Sequence, residues 1–386
     1  MKIVKGPYLQ WPTTHSAIVM WETDRPATGA VTWYRTERVH SGLSGQPRTA
    51  ETSSRVAAGA PECRVHRVEI DGLEPSRVYH YEVAAEAGSE RVGSERHLLR
   101  AAPAPGTPFT FAVTSETGGY GDDEVNRSLF AQLAAHRPDI LLVVGDAVAK
   151  GSQYDDWERW FFGPGREFLH STPFYLCPGN HEEAHLTATG GPYGPPGSWL
   201  REFTSYPDPG TYYGFEYGDA HFTALDSTAM VEYADGRPRA TTELEDGSAQ
   251  LEFLSRDLDR AGVAWRLAFY HYPPYVSGDY EVPQMRRLAP LLEAGGVDVV
   301  LNSHTIVYER SHPLRGDALD ENGGIVYVVA GGAGAKPDWF HRHRAWHTAH
   351  AQAVPHFLLV TVTPQRLDLR AIDVQGRLFD RLELRR

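Results

Sequence analysis

Four short apolar runs of this chain end on side chains that ligate metals or bind phosphate. The runs span residues 140–146, 174–181, 267–271 and 297–304. Aliphatic runs bounded by Gly, Pro and Asn indicate buried strands, and α/β sheets carry their sites at the C-terminal ends of such strands. A carboxylate, an amide oxygen and two imidazoles at one sheet edge form a suitable ligand set for a divalent metal. The sequence therefore predicts a metal site built from Asp146, Asn180, His271 and His304.

The residues that precede these runs predict a separate β domain. Short alternating segments fill residues 1–103, with turn signals between some of them and no helical period. Several short strands at this spacing are typical of a β-sandwich. Residues 73–81 resemble the tyrosine-bearing corner of fibronectin type III domains.

From residue 109 to residue 386, strand-like runs alternate with helical segments, which predicts an α/β domain. Helices are expected over residues 123–136, 249–261 and 284–294, and a closing antiparallel hairpin over residues 357–384. Every candidate metal ligand falls in this second domain.

Composition narrows the classes of partner. The 386 residues carry a formal net charge of −13, so no basic excess is available for nucleic acid or an anionic membrane. A small anionic substrate remains compatible, because a bound dication dominates its local field. The two cysteines, Cys63 and Cys177, do not suggest a disulfide framework. Without an apolar leader or a run of membrane-spanning length, we expect a cytoplasmic protein.

The motifs, in this order, resemble those of calcineurin-type metallophosphoesterases, and more narrowly those of purple acid phosphatases. They are Gly-Asp at 145–146, Gly-Asn-His-Glu at 179–182, His-Tyr-Pro-Pro-Tyr at 271–275 and Ser-His at 303–304. Gly-Pro-Tyr-Leu-Gln at 6–10 resembles the start of the fibronectin-like domain that precedes their catalytic domain. The resemblance implies a four-layer αββα metallophosphoesterase domain over 109–386, after a fibronectin type III-like domain over 1–103.

Enzymes of that family hold two metals that share the aspartate of the Gly-Asp motif. The resemblance implies that Asp146 has this role and that one metal is completed by Asn180, His271 and His304. The positions that would hold the other, ferric-type metal read Glu116, Ala149 and Ile306.

The second metal position is therefore largely without ligands. Ala149 and Ile306 offer no lone pair, and the extra methylene of Glu116 moves its carboxylate by about 1.5 Å, so Glu116 is only a tentative ligand. The resemblance favours one divalent ion over two, and Mn²⁺, Zn²⁺ and Fe²⁺ all suit such a set of nitrogen and oxygen ligands. Since the family's tyrosine is replaced by Ala149, a purple colour is not expected.

By the same resemblance, His181 would contact the phosphoryl group or protonate the leaving oxygen. Glu182 could fix the tautomer of a neighbouring imidazole, as carboxylates behind metal ligands do. These two residues are the predicted catalytic pair.

A second group of histidines lies between residues 341 and 356. If this stretch is helical, His343, His347 and His350 lie on one face. Three interpretations remain open: a solvated or partly packed helix, a cationic wall that binds an anionic substrate together with Arg342 and Arg344, or substitute ligands for the damaged metal position.

Three functions follow as hypotheses. The first is a metal-dependent hydrolase of phosphoric esters, acting on a small phosphorylated metabolite at an atypical mononuclear site. The second is a metalloenzyme that uses the retained ion as a Lewis acid for a non-hydrolytic step on a metabolite. The third is a catalytically silent protein that binds metal or anion.

Overall fold

The alternating segments at the start of the chain form seven strands. In the computed structural model, which describes residues 1–40, 47–118, 122–183, 198–260 and 262–386, these strands belong to a unit of residues 1–104 and 166–174. The strands are β1 (Ile3–Gln10), β2 (Ala17–His40), β3 (Pro47–Ala58), β4 (Cys63–Ile70), β5 (Val78–Ala87), β6 (Glu90–Gly93) and β7 (His97–Arg100).

The long strand β2 links the two layers of a β-sandwich. Its first half pairs with β1 and β4, and its second half pairs with β3 and β5. The layers enclose one apolar core that includes Trp21, Val31, Ile70 and Tyr81. The fibronectin-like corner is present, because the backbone N–H of Glu74 donates to the Tyr79 hydroxyl at 2.9 Å.

A second unit of residues 105–165 and 175–386 contains two further sheets. Six strands form the first sheet, in the order β10-β9-β8-β22-β23-β24. They are β8 (Phe109–Thr114), β9 (Ile140–Val143), β10 (Phe174–Leu176), β22 (His356–Thr363), β23 (Arg366–Asp373) and β24 (Leu378–Arg385). β8 and β9 run parallel, as expected for strands joined by a helix.

The second sheet has the order β11-β12-β15-β16-β20-β17-β21. Its strands are β11 (Tyr213–Tyr217), β12 (Ala220–Ala224), β15 (Trp265–Phe269), β16 (Val299–Asn302), β17 (Tyr308–Ser311), β20 (Val326–Ala330) and β21 (Thr348–Gln352). β12, β15, β16 and β20 are parallel. Two small hairpins are β13 (Val231–Ala234) with β14 (Arg237–Ala240), and β18 (Leu314–Arg315) with β19 (Ala318–Leu319).

Helices complete the layers. They are α1 (Asp123–His136), α2 (Tyr154–Trp157), α3 (Gly163–Leu169), α4 (Asn180–Glu183), α5 (Ser198–Phe203), α6 (Ser227–Met230), α7 (Ala249–Leu258) and α8 (Ala289–Ala294), with a π-helical turn at Glu158–Phe162 and 3-10 turns at Thr242–Leu244 and Pro283–Leu288. None of the helices in the described part of the chain has the length and apolar character needed to cross a membrane.

The arrangement is the predicted four-layer αββα domain after a β-sandwich. The two sheets meet through aromatic side chains, such as Phe111 of β8 and Phe222 of β12, whose ring centroids lie 5.2 Å apart. α1 covers the outer face of the first sheet, where His136 contacts Phe357. On the outer face of the second sheet, Leu254 of α7 shares an apolar cluster with β-strand residues such as Val300.

Three expected elements differ in detail. The segment 284–294 is a 3-10 turn followed by a short helix, because Pro290 has no N–H for an α-helical hydrogen bond. α7 ends at Leu258 rather than residue 261. The closing hairpin has a third strand, since a second turn at Gly376, with φ of +79°, lets β24 pair with β23.

Candidate metal centre

The candidate ligands lie where parallel strands of both sheets end. Asp146 follows β9, His271 follows β15, and His304 follows β16. Asp146 and His304 have left-handed backbone, with φ of +53° and +68°, and so does Glu116 after β8, with φ of +55°. Such conformations cost about 1–3 kcal/mol in non-glycine residues and concentrate at functional sites. They turn the chain sharply at the strand end and bring these side chains over the sheet edge.

The predicted ligands converge. One ligand atom from each of Asp146, His271 and His304 lies within 4.8 Å of the others. The His271 Nε2 lies 3.0 Å from the Asn180 Oδ1 and 3.2 Å from an Asp146 carboxylate oxygen. This half-enclosed set of carboxylate, amide and imidazole donors fits a divalent cation. We call these four residues the metal cup.

Glycines let the backbones of the cup approach closely. Gly145 has φ of +80°, and a Cβ at this position would lie 2.6 Å from the His271 Nδ1. A Cβ on Gly179 would collide with the Asp146 carboxylate. Only glycine fits at either position without displacing a cup residue.

Hydrogen bonds orient His271. Its Nδ1–H donates to the Val144 carbonyl at 2.9 Å, so Nε2 faces the cup. Burial alone would lower the pKa of His271, but the Asp146 carboxylate, together with Glu116 and the Val144 carbonyl, raises that pKa to about 9. A proton and a cation therefore compete for the same imidazole and carboxylate.

His304 titrates in the opposite direction. Burial, and then the neighbouring His271, lower the pKa of His304 to about 3. Its imidazole is thus neutral at physiological pH, which is the form that binds metals. For Asp146, burial acts to raise the pKa, but His271 and His181 hold it below the usual range.

Glu182 connects the loops around Asp146. Its carboxylate accepts hydrogen bonds from the backbone N–H groups of Asp146 at 2.7 Å, Gly179 at 2.8 Å and Val148 at 3.3 Å. Burial, reinforced by Asp146, raises the pKa of Glu182 to about 7. The expected hydrogen bond to an imidazole is replaced by these amide contacts, because the fully buried carboxylate lies under the two loops. Glu182 therefore positions the backbone of the cup.

His181 lies at the open side of the cup. Its Nδ1–H donates to the Ala149 carbonyl at 2.6 Å, and its Nε2 lies 3.9 Å from an Asp146 oxygen. The side chain is 29% exposed. The charge of Asp146 raises the pKa of His181 against the opposing effect of burial. The predicted role of His181 in contacting a phosphoryl group is compatible with this position.

Among the described residues, the positions expected to hold the second metal do not form a close group of three acidic, histidine or cysteine ligands. The Ala149 carbonyl accepts from His181, and the Ile306 N–H donates to Asp338 at 2.8 Å. Glu116 does not join the close group of cup ligands. Its Oε1 accepts from the Ser303 hydroxyl at 2.6 Å and from the His304 N–H at 2.9 Å. Burial, and then Asp146, raise the pKa of Glu116 to about 8.

The histidine-rich stretch is not helical. Residues 341–347 form turns, and His350 lies on strand β21, so His343, His347 and His350 do not share a helix face. His347 is buried, with its Nδ1 3.7 Å from Glu309 of β17, and the His350 Nδ1 is 3.8 Å from Asp380 of β24.

The helical interpretation of this stretch is wrong because β21 pairs with β17 and draws the segment into the second sheet. His343 is exposed. The Arg344 guanidinium lies over the Phe340 ring and donates to the His341 carbonyl at 2.9 Å. The described contacts of His347, His350 and Arg344 are thus with neighbouring strands and turns, and they do not support substitute metal ligation.

Sequence reasoning did not place Tyr233 or Tyr280 beside His304. The Tyr233 hydroxyl lies 2.9 Å from the His304 Nε2, and the rings of Tyr272 and Tyr280 lie 4.7 Å and 5.4 Å from the His304 ring. Tyr272 was identifiable as the residue after His271. Tyr233 gave no signal, because its approach depends on how the hairpin of β13 and β14 folds.

Comparison with known proteins gives two family matches. Residues 109–308 match the calcineurin-like phosphoesterase family, and residues 4–99 match the N-terminal domain of purple acid phosphatases. Purple acid phosphatase 15 of Arabidopsis thaliana is 27% identical over 309 residues, which cover 70% of this chain and 53% of the relative. An uncharacterized protein of Mycobacterium tuberculosis is 25% identical over 367 residues, which cover 80% of this chain and 67% of the relative.

The fold has a counterpart among solved structures. A purple acid phosphatase from yellow lupin seeds superposes with a TM-score of 0.78 at 18% identity, covering 98% of this chain and 74% of that one. The chain spans about half the length of the Arabidopsis relatives that it matches. It belongs to the calcineurin-like phosphoesterase family and carries the N-terminal domain of purple acid phosphatases.

Proposed function

We propose that this chain hydrolyses phosphoric esters of small metabolites at a centre that holds one divalent ion. The proposal rests on the difference between the cup ligands and Glu116. Asp146, His271 and His304 present ligand atoms within 4.8 Å of one another, whereas Glu116 is engaged with Ser303 and His304. Asn180 completes the cup through its amide oxygen.

The ion and the protein have separate tasks. A divalent ion in the cup would polarise a phosphoryl oxygen and lower the pKa of a bound water to about 7. Mn²⁺, Zn²⁺ or Fe²⁺ would each suit the donor set, and the identity of the ion stays a prediction.

His181 supplies the proton chemistry in this proposal. Since Nδ1–H is held by the Ala149 carbonyl, Nε2 is the nitrogen presented toward the cup. A phosphoryl group bound there would place its leaving oxygen within reach of Nε2–H. Glu182 acts indirectly. Its carboxylate accepts hydrogen bonds from the backbone N–H groups of Asp146 and Gly179 and so holds the loops around Asp146.

The test is release of inorganic phosphate from a generic aryl phosphate, after removal of metals and reconstitution with Mn²⁺, Zn²⁺ or Fe²⁺ in turn. We expect activity with at least one ion, and a fall in kcat of about 10²–10⁴-fold in His181→Ala, which is the usual contribution of general acid catalysis. The amount of bound metal should not change in this variant. His15→Ala, in the β-sandwich, is the matched histidine control.

Metal binding without phosphate release under any ion would contradict the hydrolase. It would favour a non-hydrolytic Lewis-acid step or a silent metal-binding role for the same cup.

A small phosphorylated substrate is expected, and nucleic acid and membrane are not expected as partners. The cationic wall requires that His343→Ala and Arg344→Ala raise KM with little effect on kcat. A cytoplasmic location is checked by cell fractionation.

A further inference from the structure

Tyr233 reaches the metal cup from an element that holds none of the ligands. It lies on β13, and its hydroxyl is 2.9 Å from the His304 Nε2. The ring packs edge-on against Tyr272, with centroids 5.7 Å apart. This distance is normal for a hydrogen bond between an imidazole nitrogen and a phenol oxygen.

The hairpin that carries Tyr233 is anchored on both sides. Pro238, its cross-strand partner on β14, accepts a hydrogen bond from the Gln284 amide at 2.7 Å. At the base of the hairpin, the Thr241 N–H and hydroxyl donate to the Met230 and Ala229 carbonyls. These contacts hold the backbone that carries Tyr233, which is 36% exposed.

Tyr233 contacts the ring of His304, and Glu116 holds its backbone. The Glu116 Oε1 accepts the His304 backbone N–H at 2.9 Å and the Ser303 hydroxyl at 2.6 Å. Ser303 in turn contacts the Ser115 hydroxyl, which donates to the Ala330 carbonyl of β20. This chain of contacts links the ends of β8, β16 and β20 beneath His304.

We propose that Tyr233 and Glu116 are positioning residues for His304, and that neither is a metal ligand. In this arrangement the His304 Nε2–H donates to the Tyr233 hydroxyl and Nδ1 is left for the ion. Glu116 holds the strained backbone that aims the ring. The inference rests on the proposed one-ion centre, and it explains why Glu116 lies outside the cup.

The coordination chemistry of imidazole supports a positioning role for Tyr233. An imidazole that binds a metal through one nitrogen almost always donates from the other, and the partner fixes both tautomer and ring orientation. The half-buried His304 has two ring nitrogens, and Tyr233 provides a hydrogen-bond partner for one of them. Loss of such partners typically weakens metal binding by about 10–100-fold.

Calorimetric titration of the metal-free protein with Zn²⁺ tests the role of Tyr233. Tyr233→Phe keeps the ring and removes the hydroxyl, and we expect Kd to rise by about 10-fold or more with the stoichiometry still at one ion per chain. Tyr280→Phe is the matched control, since its ring packs against the same imidazole, and its Kd should equal that of the wild type. The visible absorption of Co²⁺-loaded protein should change in Tyr233→Phe and not in Tyr280→Phe.

Glu116 is tested by two substitutions in the same titration. Glu116→Gln keeps an oxygen acceptor for the His304 N–H, so affinity should stay close to wild type, whereas Glu116→Ala should weaken it. If Glu116 were a ligand to a second ion, Glu116→Gln would lower the stoichiometry, and that result would overturn its positioning role.

Two results would overturn the role of Tyr233. One is a Tyr233→Phe variant with wild-type affinity and an unchanged Co²⁺ spectrum. The other is a visible charge-transfer band on loading with Fe³⁺ that disappears in Tyr233→Phe, which would make the phenol a ligand.

These titrations need no substrate, so they separate this inference from the proposed reaction. Weaker binding in Tyr233→Phe with no phosphate release by the wild type would keep the positioning role and remove the hydrolase. Phosphate release by the wild type, with equal metal affinities in the wild type and Tyr233→Phe, would keep the hydrolase and remove the positioning role. A wild-type chain that binds no divalent ion would contradict both the hydrolase and the positioning role.

Discussion

Asp146 shows how much of the site was accessible from single residues. Its position after an apolar run predicts that it is a ligand, and the structure places it beside His271 and His181. Glu116 shows the limit of such reasoning. Its residue type suggested a tentative ligand, but its carboxylate accepts hydrogen bonds from the Ser303 hydroxyl and the His304 N–H. Residue type predicts which groups have lone pairs, but it does not predict which of those lone pairs accept hydrogen bonds from neighbouring residues.

Gly145→Ala tests the close packing of the cup at the level of one residue. The new Cβ would need left-handed backbone and would lie 2.6 Å from the His271 Nδ1, which displaces the ring. We expect a loss of about 1–3 kcal/mol in the free energy of unfolding, and metal binding weaker by at least ~10-fold. Denaturant unfolding and metal titration measure the two effects.

Gly296→Ala provides the matched control. Gly296 also has positive φ, +68°, but a Cβ at this position would meet no heavy atom within 4 Å beyond its own chain neighbours. The free energy of unfolding of Gly296→Ala should fall by only about 1–2 kcal/mol, because of the left-handed backbone, and its metal affinity should be normal. Equal metal affinities in the two variants would show that the cup tolerates the extra methyl group.

At the scale of elements, hydrophobic period predicted most strands and helices well. α1 has the predicted bounds, since Asp122 caps its first turn and left-handed Arg137 ends it. The structure of the histidine-rich stretch was harder to predict. Three histidines at helical spacing do not reveal that the segment forms an edge strand, β21, that pairs with β17. The position of the hairpin of β13 and β14 was equally hard to predict. Its local sequence does not reveal that Tyr233 would reach His304, since that contact depends on tertiary packing.

At the scale of the whole molecule, buried histidines in both units link stability to acidity. Burial lowers the pKa of His66 in the β-sandwich, and of His347 and His356 in the second unit, to about 4. In the unfolded chain these imidazoles titrate near ~6.5, so between the two values the unfolded state binds more protons. The stabilisation is complete above about pH 6.5 and is lost as the pH falls toward 4.

His356→Asn tests this linkage, because the ring is fully buried and its Nδ1–H donates to the Val354 carbonyl at 2.8 Å. Asparagine can keep that donor but does not titrate. Urea unfolding from pH 7 to pH 4 should show a variant that is less stable at pH 7 yet loses about 1–3 kcal/mol less on acidification. The same pH slope in both proteins would show that His356 does not take part.

The central claim is that the fold retains one metal site and has converted the other into support for His304. Metal content per chain, measured by elemental analysis and native mass spectrometry after reconstitution with excess Mn²⁺, Zn²⁺ or Fe²⁺, tests it most directly. The account predicts one ion per chain, retained in Glu116→Gln and lost in His271→Ala. Two ions per chain in the wild type, with one lost in Glu116→Gln, would contradict it.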